Sequence, residues 1–285
     1  MPPGRTGEKR LKAKDFVNVT AYIVASIVFV YGFLTLQDAI SENLMGTLIK
    51  IVAAIGLLGL GYVIFKGTNG SEEWSRVSAI FIFAIANIFF WSGFEQAGGT
   101  FNLFAADETD RMIGNTEIAA SLFQSINALA IFIFAPLLAS FWVALATRNK
   151  NPSTPAKFGW GLTLLALGFV VMSFASFAAE GEALVSPFWL VGVYVIHTFG
   201  ELCLSPIGLS MITKLAPPKI VSVMMGLWFA SMALANYMAG IMESLLEGIF
   251  PDMNLFVFLT ITSGIGGLMM FALTPVLKKL MKGIH

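Results

Sequence analysis

The sequence predicts an all-α polytopic membrane protein with eight transmembrane helices. Hydrophobic residues make up 57% of the 285 residues and charged residues only 12%, whereas a soluble domain has about 25% charged residues. Eight stretches are apolar over roughly the 20 residues that a helix needs to cross the hydrocarbon core. These stretches lie near residues 16–36, 46–65, 77–99, 118–146, 158–179, 188–213, 220–242 and 254–277.

The same composition excludes several classes of protein. We expect no enzyme, because the sequence contains no nucleotide-binding fingerprint and no catalytic-triad arrangement. The formal net charge is zero, so a nucleic acid would find no electrostatic attraction. With one cysteine, Cys203, and two histidines, His197 and His285, neither an internal disulfide nor a zinc site is expected.

The basic residues predict how the helices are oriented. Eight spans place both termini on one side of the membrane, and the segments on that side then hold 15 of the 17 lysines and arginines. Only Lys50 and Arg111 fall at the opposite side. Because cytoplasmic loops carry an excess of lysine and arginine, both termini are expected in the cytoplasm.

Two charged residues, Glu95 and Glu201, fall well inside predicted spans. A carboxylate at bilayer depth is costly and normally faces a cavity or a partner. Glu201 follows Phe188, where the sixth span begins, by 13 residues, which is about 20 Å along a helix and close to the middle of the membrane. Glu95 is expected nearer the outer surface, where hydration from the outer loop is the alternative to a functional role.

The segment around Glu201 carries further polar residues at helical spacing. His197, Glu201 and Ser205 recur every four residues, which predicts that they share one helix face. Pro206 predicts a kink, because proline lacks an amide proton and opposes the preceding turn. A kinked helix with a buried acid is a common way to build a transporter's substrate site. The alternative is a structural kink whose acid is satisfied by neighbouring groups.

Other features around the two acids are less specific. Gly200 and Gly208 would allow close approach of another backbone or a ligand. In the fourth span Gln124 and Asn127 share a face, and Pro136 is expected to bend the helix. A buried amide pair of this kind can also simply hold two helices together.

Three segments resemble motifs of the proton-dependent oligopeptide transporters (the POT/PTR family of the major facilitator superfamily). Residues 90–96, Phe-Trp-Ser-Gly-Phe-Glu-Gln, are similar to the motif of their seventh helix. Residues 200–209, Gly-Glu-Leu-Cys-Leu-Ser-Pro-Ile-Gly-Leu, with Thr-Lys-Leu-Ala-Pro at 213–217, are similar to that of the tenth helix. Gln124-Ser-Ile-Asn127 with Pro136 is similar to the eighth. The resemblance runs from about residue 16 to 278.

This resemblance implies an organisation of the chain. Residues 69–285 would form the C-terminal six-helix bundle of the major-facilitator fold. Residues 16–68 would be the accessory transmembrane hairpin that bacterial members carry between their two bundles, and residues 1–15 a basic cytoplasmic linker. Motifs of the family's first six helices are not found in the sequence. The N-terminal six-helix bundle is therefore expected from further sequence or from a second chain.

The resemblance also implies a function and a substrate site. The family imports di- and tripeptides together with protons, here across the bacterial inner (plasma) membrane, with the proton gradient as energy source and no cofactor. Glu201 would bind the peptide amino terminus, Asn127 would hydrogen-bond the peptide backbone, and Ser205 would line the cavity. Trp91 and Trp228 would contribute apolar walls.

Proton coupling is the remaining role that the resemblance implies. Glu95 would act in the outer gate and respond to protonation, and Glu201 would take part in coupling. Two alternatives stay open at this stage. The chain could be a non-transporting half-length membrane protein or partner subunit, or it could transport another small solute, such as nitrate, with the same fold.

Overall fold

The computed structural model describes residues 42–181 and 184–284, with side-chain burial from residue 55 onward. The predicted first span at 16–36 lies outside the described residues. The chain divides into two compact units, Met1–Tyr62 and Val63–His285. Helix α1 (Glu42–Gly67) begins in the first unit, ends in the second, and overlaps the predicted span at 46–65.

The second unit contains six helices that are long and apolar enough to cross a membrane, counted over the described residues. They agree with the six spans predicted between residues 77 and 277. The helices are α2 (Gly70–Phe94), which continues through a 3-10 turn (Glu95–Ala97) into α3 (Thr100–Asp107), then α4 (Ser125–Thr147), α5 (Thr154–Ala179), α6 (Phe188–Leu215), α7 (Val221–Ile249) and α8 (Leu255–Leu280).

A short β-hairpin lies between α3 and α4. Its strands β1 (Met112–Ile113) and β2 (Thr116–Glu117) pair antiparallel. Arg111 forms a 2.6 Å ion pair with Glu117, which closes the base of the hairpin. A second 3-10 turn, Ala120–Gln124, leads into α4.

The third predicted span differs from the structure in one respect. We expected a continuous helix over 77–99, but α2 ends at Phe94 and Glu95 lies in the 3-10 turn that follows. Two glycines at 98 and 99 explain the break, because glycine is a poor helix former and Gly99 adopts φ −108° and ψ −98°. Glu95 is therefore held at a helix end rather than within a helix.

The core of the second unit is built on α5, which packs against α6 and α8. A Cβ atom at Gly161 would lie 3.0 Å from the carbonyl oxygen of Gly200, and one at Gly200 would lie 2.9 Å from that of Gly161. Small residues of this kind let two membrane helices approach at their backbones. The prediction that Gly200 permits a close backbone approach is confirmed.

Helix α2 packs against α7 and is tied to it by polar groups. The side-chain amide of Asn87 donates a 2.9 Å hydrogen bond to the hydroxyl of Ser231. Just beyond the end of α2, the side-chain amide of Gln96 donates to the carbonyl oxygen of Ala239 over 3.2 Å. These bonds fix the register of the helix that leads to Glu95.

Candidate functional site: a polar pair between α4 and α6

The centre of the site is a hydrogen-bonded pair, Asn127 on α4 and Glu201 on α6. Asn127 Nδ2 donates to Glu201 Oε2 over 2.9 Å and to Thr198 Oγ1 over 3.0 Å. Thr198 in turn donates its hydroxyl to the carbonyl oxygen of Tyr194 over 2.7 Å. Because the threonine proton is already used, its oxygen is available to accept from Asn127. This chain of bonds orients the amide nitrogen of Asn127 toward the carboxyl group.

Glu201 and Glu95, the two acids inside the spans, lie in one region of the second unit. Both side chains are partly buried, and they are close enough to interact electrostatically. Asn236 of α7 lies beside the carboxyl group of Glu95. Two nearby carboxyl groups, partly removed from water, create a field that attracts a cation. Two acids that are 106 positions apart in the sequence are therefore close enough to influence each other's charge.

His197 does not share the environment of Glu201, although it lies one turn before it. Its side chain is buried, and Nε2 lies 3.1 Å from the carbonyl oxygen of Leu165 on α5. The ring packs against Phe101 and Phe169. A Cβ atom at Gly168 would lie 2.2 Å from this ring, so glycine at that position makes room for it. The spacing predicted one polar face, but His197 belongs to the packed core.

The predicted wall residues Trp91 and Trp228 are both packed inside the bundle. Trp91 is 8% exposed and meets Phe94 edge to face, with ring centroids 5.2 Å apart. Trp228 is 3% exposed and packs over Gly208, where a Cβ atom would lie 2.5 Å from its ring. The small residue at 208 thus accommodates a tryptophan of α7. A role for either ring as a wall of the substrate site stays a prediction.

Ser205 and Pro206 lie one turn beyond Glu201 on α6. Ser205 is partly exposed and Pro206 is exposed. Helix α6 continues through Pro206 as a single helix to Leu215. Ser205 as a cavity residue, and the kink at Pro206, remain predictions.

The sequence interpretation missed two polar members of the site, Thr198 and Asn236. Thr198 precedes Glu201 by three residues, so helical spacing alone places both on one face. Asn236 is an amide in the otherwise apolar middle of α7, which is also a recognisable signal. Among the described residues there is no group of three His, Cys, Asp or Glu side chains that could hold a metal ion.

A protein-family model matches about two thirds of the chain. The model of the POT family (PTR2) matches residues 62–254 of this chain. That range contains the Asn127–Glu201 pair, Glu95, the predicted wall residues Trp91 and Trp228, and helices α2 to α7.

Curated relatives are named as transporters. The chain is 41% identical over 228 residues to the peptide transporter YePEPT of Yersinia enterocolitica, covering 78% of the chain and 44% of that protein. It is 36% identical over 272 residues to the uncharacterized transporter YclF of Bacillus subtilis, covering 94% of the chain and 53% of that protein. The chain thus spans about half the length of the curated relatives it matches.

Solved structures show the same fold. The chain matches the crystal structure of a peptide transporter POT in complex with sulfate with a TM-score of 0.75 and 30% identity, over 96% of the chain and 56% of that structure. It also matches a POT family transporter in complex with a thioalcohol conjugated peptide, with a TM-score of 0.72 and 27% identity, over 94% of the chain and 56% of that structure.

Proposed function

Because the chain belongs to the POT family, we propose that it forms the C-terminal bundle of a proton-coupled importer of di- and tripeptides. The matched relatives include a protein named as a peptide transporter and a structure solved with a conjugated peptide. In this proposal residues 69–285 supply one wall of a central substrate cavity. An N-terminal six-helix bundle, from further sequence or from a second chain, supplies the other wall.

The observation that carries the proposal is the Asn127–Glu201 pair. The carboxyl group of Glu201 accepts the Asn127 bond through Oε2, which leaves Oε1 to receive a second donor. A peptide amino terminus is a cation with three N–H donors, and a carboxylate that is partly shielded from water binds such a group strongly. The nearby charge of Glu95 adds to the attraction. A small anion such as nitrate would instead be repelled by both acids.

Asn127 is proposed to bind the peptide backbone as well as Glu201. Its Nδ2 atom faces Glu201 and Thr198, so the amide oxygen is the group with which it can accept a peptide N–H. Ser205 would line the same cavity one turn further along α6. Trp91 and Trp228 would form its apolar walls, and Pro206 would bend α6 so that these groups converge.

Glu95 is proposed to act in the outer gate and in proton coupling. It lies in the 3-10 turn directly after α2, where the regular α-helix has ended. Asn236 lies beside it and would hold the carboxyl group when no other partner is present. A basic residue of the N-terminal bundle would take that place in the closed gate.

The same proposal sets the chain in the bacterial inner membrane. Eight helices would cross it with both termini in the cytoplasm, because that orientation places 15 of the 17 basic residues on the cytoplasmic side. Residues 16–68 would form the accessory hairpin, of which α1 is the second member. Lipid surrounds the spans, and the proton gradient drives uptake without a cofactor.

The proposal is tested by peptide uptake in a completed transporter, meaning this chain produced together with an N-terminal six-helix bundle of the family. We expect Glu201→Gln to abolish uptake of dipeptides that have a free amino terminus, because the neutral amide cannot balance the ammonium charge. Glu247→Gln is the matched control, since Glu247 is an exposed acid at the end of α7. Unimpaired uptake by Glu201→Gln would overturn the assignment of this residue.

A second measurement separates a transporter half from a non-transporting membrane protein. The chain alone, purified and reconstituted in proteoliposomes, is expected to show no peptide-driven proton flux, because one bundle does not enclose a cavity. The completed transporter is expected to show it. If both preparations are silent while the completed transporter is folded, the half-length chain is a subunit without transport function.

A further inference from the structure

A basic cavity lies at the lysine-rich end of α5, α6 and α8, away from the Asn127–Glu201 pair. It has a volume of about 510 Å³, and its lining includes Lys157, Lys214 and Lys278 but no acidic residue. Ser210 of α6 also lines it. Ser210 follows Glu201 by nine residues, which is two and a half helical turns. The cavity therefore faces the opposite side of α6 from the candidate peptide site.

Lys157 is a mostly buried lysine on the wall of this cavity. Its side chain is only 9% exposed, and Nζ lies 4.5 Å from the centroid of the Trp142 ring. In the part of the chain that the structure describes, Lys157 has no ion pair with an acid. The stem of the side chain is buried, whereas the ammonium group opens into the cavity. Because no described lining residue is acidic, this position favours an anion as the ligand of the cavity.

The start of α5 strengthens the attraction for an anion. This 26-residue helix begins at Thr154, which lines the cavity and is only 9% exposed. Ser153, at the N-cap, makes no capping hydrogen bond with its side chain. Pro155 has no amide proton, so the amides of Thr154 and Ala156 are the ones without a partner inside the helix, and the helix dipole places positive charge at that end. These amides and Lys157 therefore point to the same kind of ligand.

An apolar groove adjoins the basic cavity. It has a volume of about 420 Å³ and shares Pro152 with the cavity. Trp142 of α4 and Trp160 and Leu164 of α5 are among its lining residues. The indole N–H of Trp142 is buried and has no acceptor among the described residues. Lys157 stands over this ring, so it marks the point where the cavity and the groove meet.

We propose that this junction binds one anionic phospholipid of the leaflet on the lysine-rich side. The phosphate would lie in the basic cavity beside Lys157, and an acyl chain would lie along the groove between α4 and α5. A lipid is the ligand class that combines a phosphate with a long hydrocarbon chain. The junction lies at the ends of predicted membrane spans, at the depth where lipid head groups lie and where basic residues attract anionic lipids.

The test is lipid binding by the full, delipidated chain in detergent, measured by native mass spectrometry. Phosphatidylglycerol and phosphatidylcholine with identical acyl chains are titrated separately. We expect the anionic lipid to bind about fivefold more tightly for each lysine that engages its phosphate. Lys278→Gln is expected to weaken the binding of phosphatidylglycerol about fivefold. Lys279→Gln is the matched control, because that neighbouring lysine is not among the residues that line the cavity.

Lys157→Gln is expected to remove the preference for phosphatidylglycerol most strongly. Because the side chain of Lys157 is mostly buried, the folding of the Lys157→Gln variant is checked by circular dichroism and size-exclusion chromatography. The Lys278→Gln variant changes an exposed residue and therefore tests the proposal independently. Equal binding of the two lipids, or an undiminished preference in both variants, would overturn the proposal. So would the absence of saturable lipid binding, which would mean that another segment covers the groove.

Two further probes distinguish a lipid from a free anion. Dihexanoyl phosphatidylglycerol is expected to bind more weakly than the long-chain lipid, because it leaves most of the groove empty. Inorganic phosphate is expected to compete only weakly. If inorganic phosphate binds as tightly as phosphatidylglycerol and chain length has no effect, the junction is an anion site and the lipid assignment is wrong.

Discussion

Helices α4 and α5 are almost equally apolar, yet they lie in opposite environments. Both are long and apolar enough to cross a membrane, but only 6% of the most apolar stretch that contains α4 is buried, against 50% in α5. Helix α5 carries Gly159, Gly161 and Gly168 against neighbouring elements, whereas α4 has no glycine. In a membrane, lipid is as apolar as a leucine side chain, so small residues rather than hydropathy decide which helices pack together.

The exposed helix is nevertheless the one that brings an amide to Glu201. Most of the surface of α4 is apolar and exposed, and Phe132 is 83% exposed. Its polar contact to α6 is made by Asn127. This difference indicates that α5 builds the bundle, while α4 presents a surface to lipid or to a second bundle and a polar group to the proposed substrate.

The largest effect is expected for a side chain added at the packed face of α5. Gly168→Leu should prevent folding, because the first added carbon already lies 2.2 Å from the ring of His197. Gly192→Leu on α6 is the control, since nothing lies within 4 Å of that position. Yield of monodisperse protein and thermal unfolding report the result. Equal yields for the two variants would show that the packing of α5 does not support the fold as described.

A smaller difference is expected when an aromatic ring is removed from each helix. Phe169 on α5 is fully buried and contacts Phe101 and His197, so Phe169→Ala should lower the unfolding free energy by about 3 kcal/mol. Phe132→Ala on α4 should change it little, because its ring is exposed. Denaturant unfolding in detergent measures both. A cost at Phe132 as large as that at Phe169 would mean that α4 is covered within this chain.

The smallest effect on stability is expected for the polar contact of α4. Asn127→Ala removes two interhelical hydrogen bonds, each worth about 0.6 kcal/mol in a membrane, but it should strongly weaken peptide binding by the completed transporter. Ser140→Ala is the control, because among the described residues the hydroxyl of Ser140 bonds to the carbonyl oxygen of Pro136 in its own helix. If Asn127→Ala unfolds the bundle, or leaves peptide affinity unchanged, the amide serves only to hold α4 against α6.

The sequence predicts the six spans of the second unit and the two acids, because length, hydropathy and isolated charge are local properties of the chain. It does not predict which way a side chain on a uniformly apolar helix points. His197 and Glu201 are one turn apart, and contacts with α5 decide that His197 enters the core, because Gly168 leaves room for its ring and the carbonyl oxygen of Leu165 lies 3.1 Å from Nε2. Similarly, Thr198 and Asn236 gain their roles from contacts with residues on other elements, which spacing along one helix does not reveal.

The most direct test of the account compares two ligands and two proteins in one binding experiment. Isothermal titration of the completed transporter measures the affinities of dialanine and of N-acetyl-dialanine for the unchanged protein and for Glu201→Gln. We expect the unchanged protein to prefer the free amino terminus strongly and the Glu201→Gln variant to lose that preference. A preference that is the same in both proteins would contradict the assignment of Glu201 as the group that binds the peptide amino terminus.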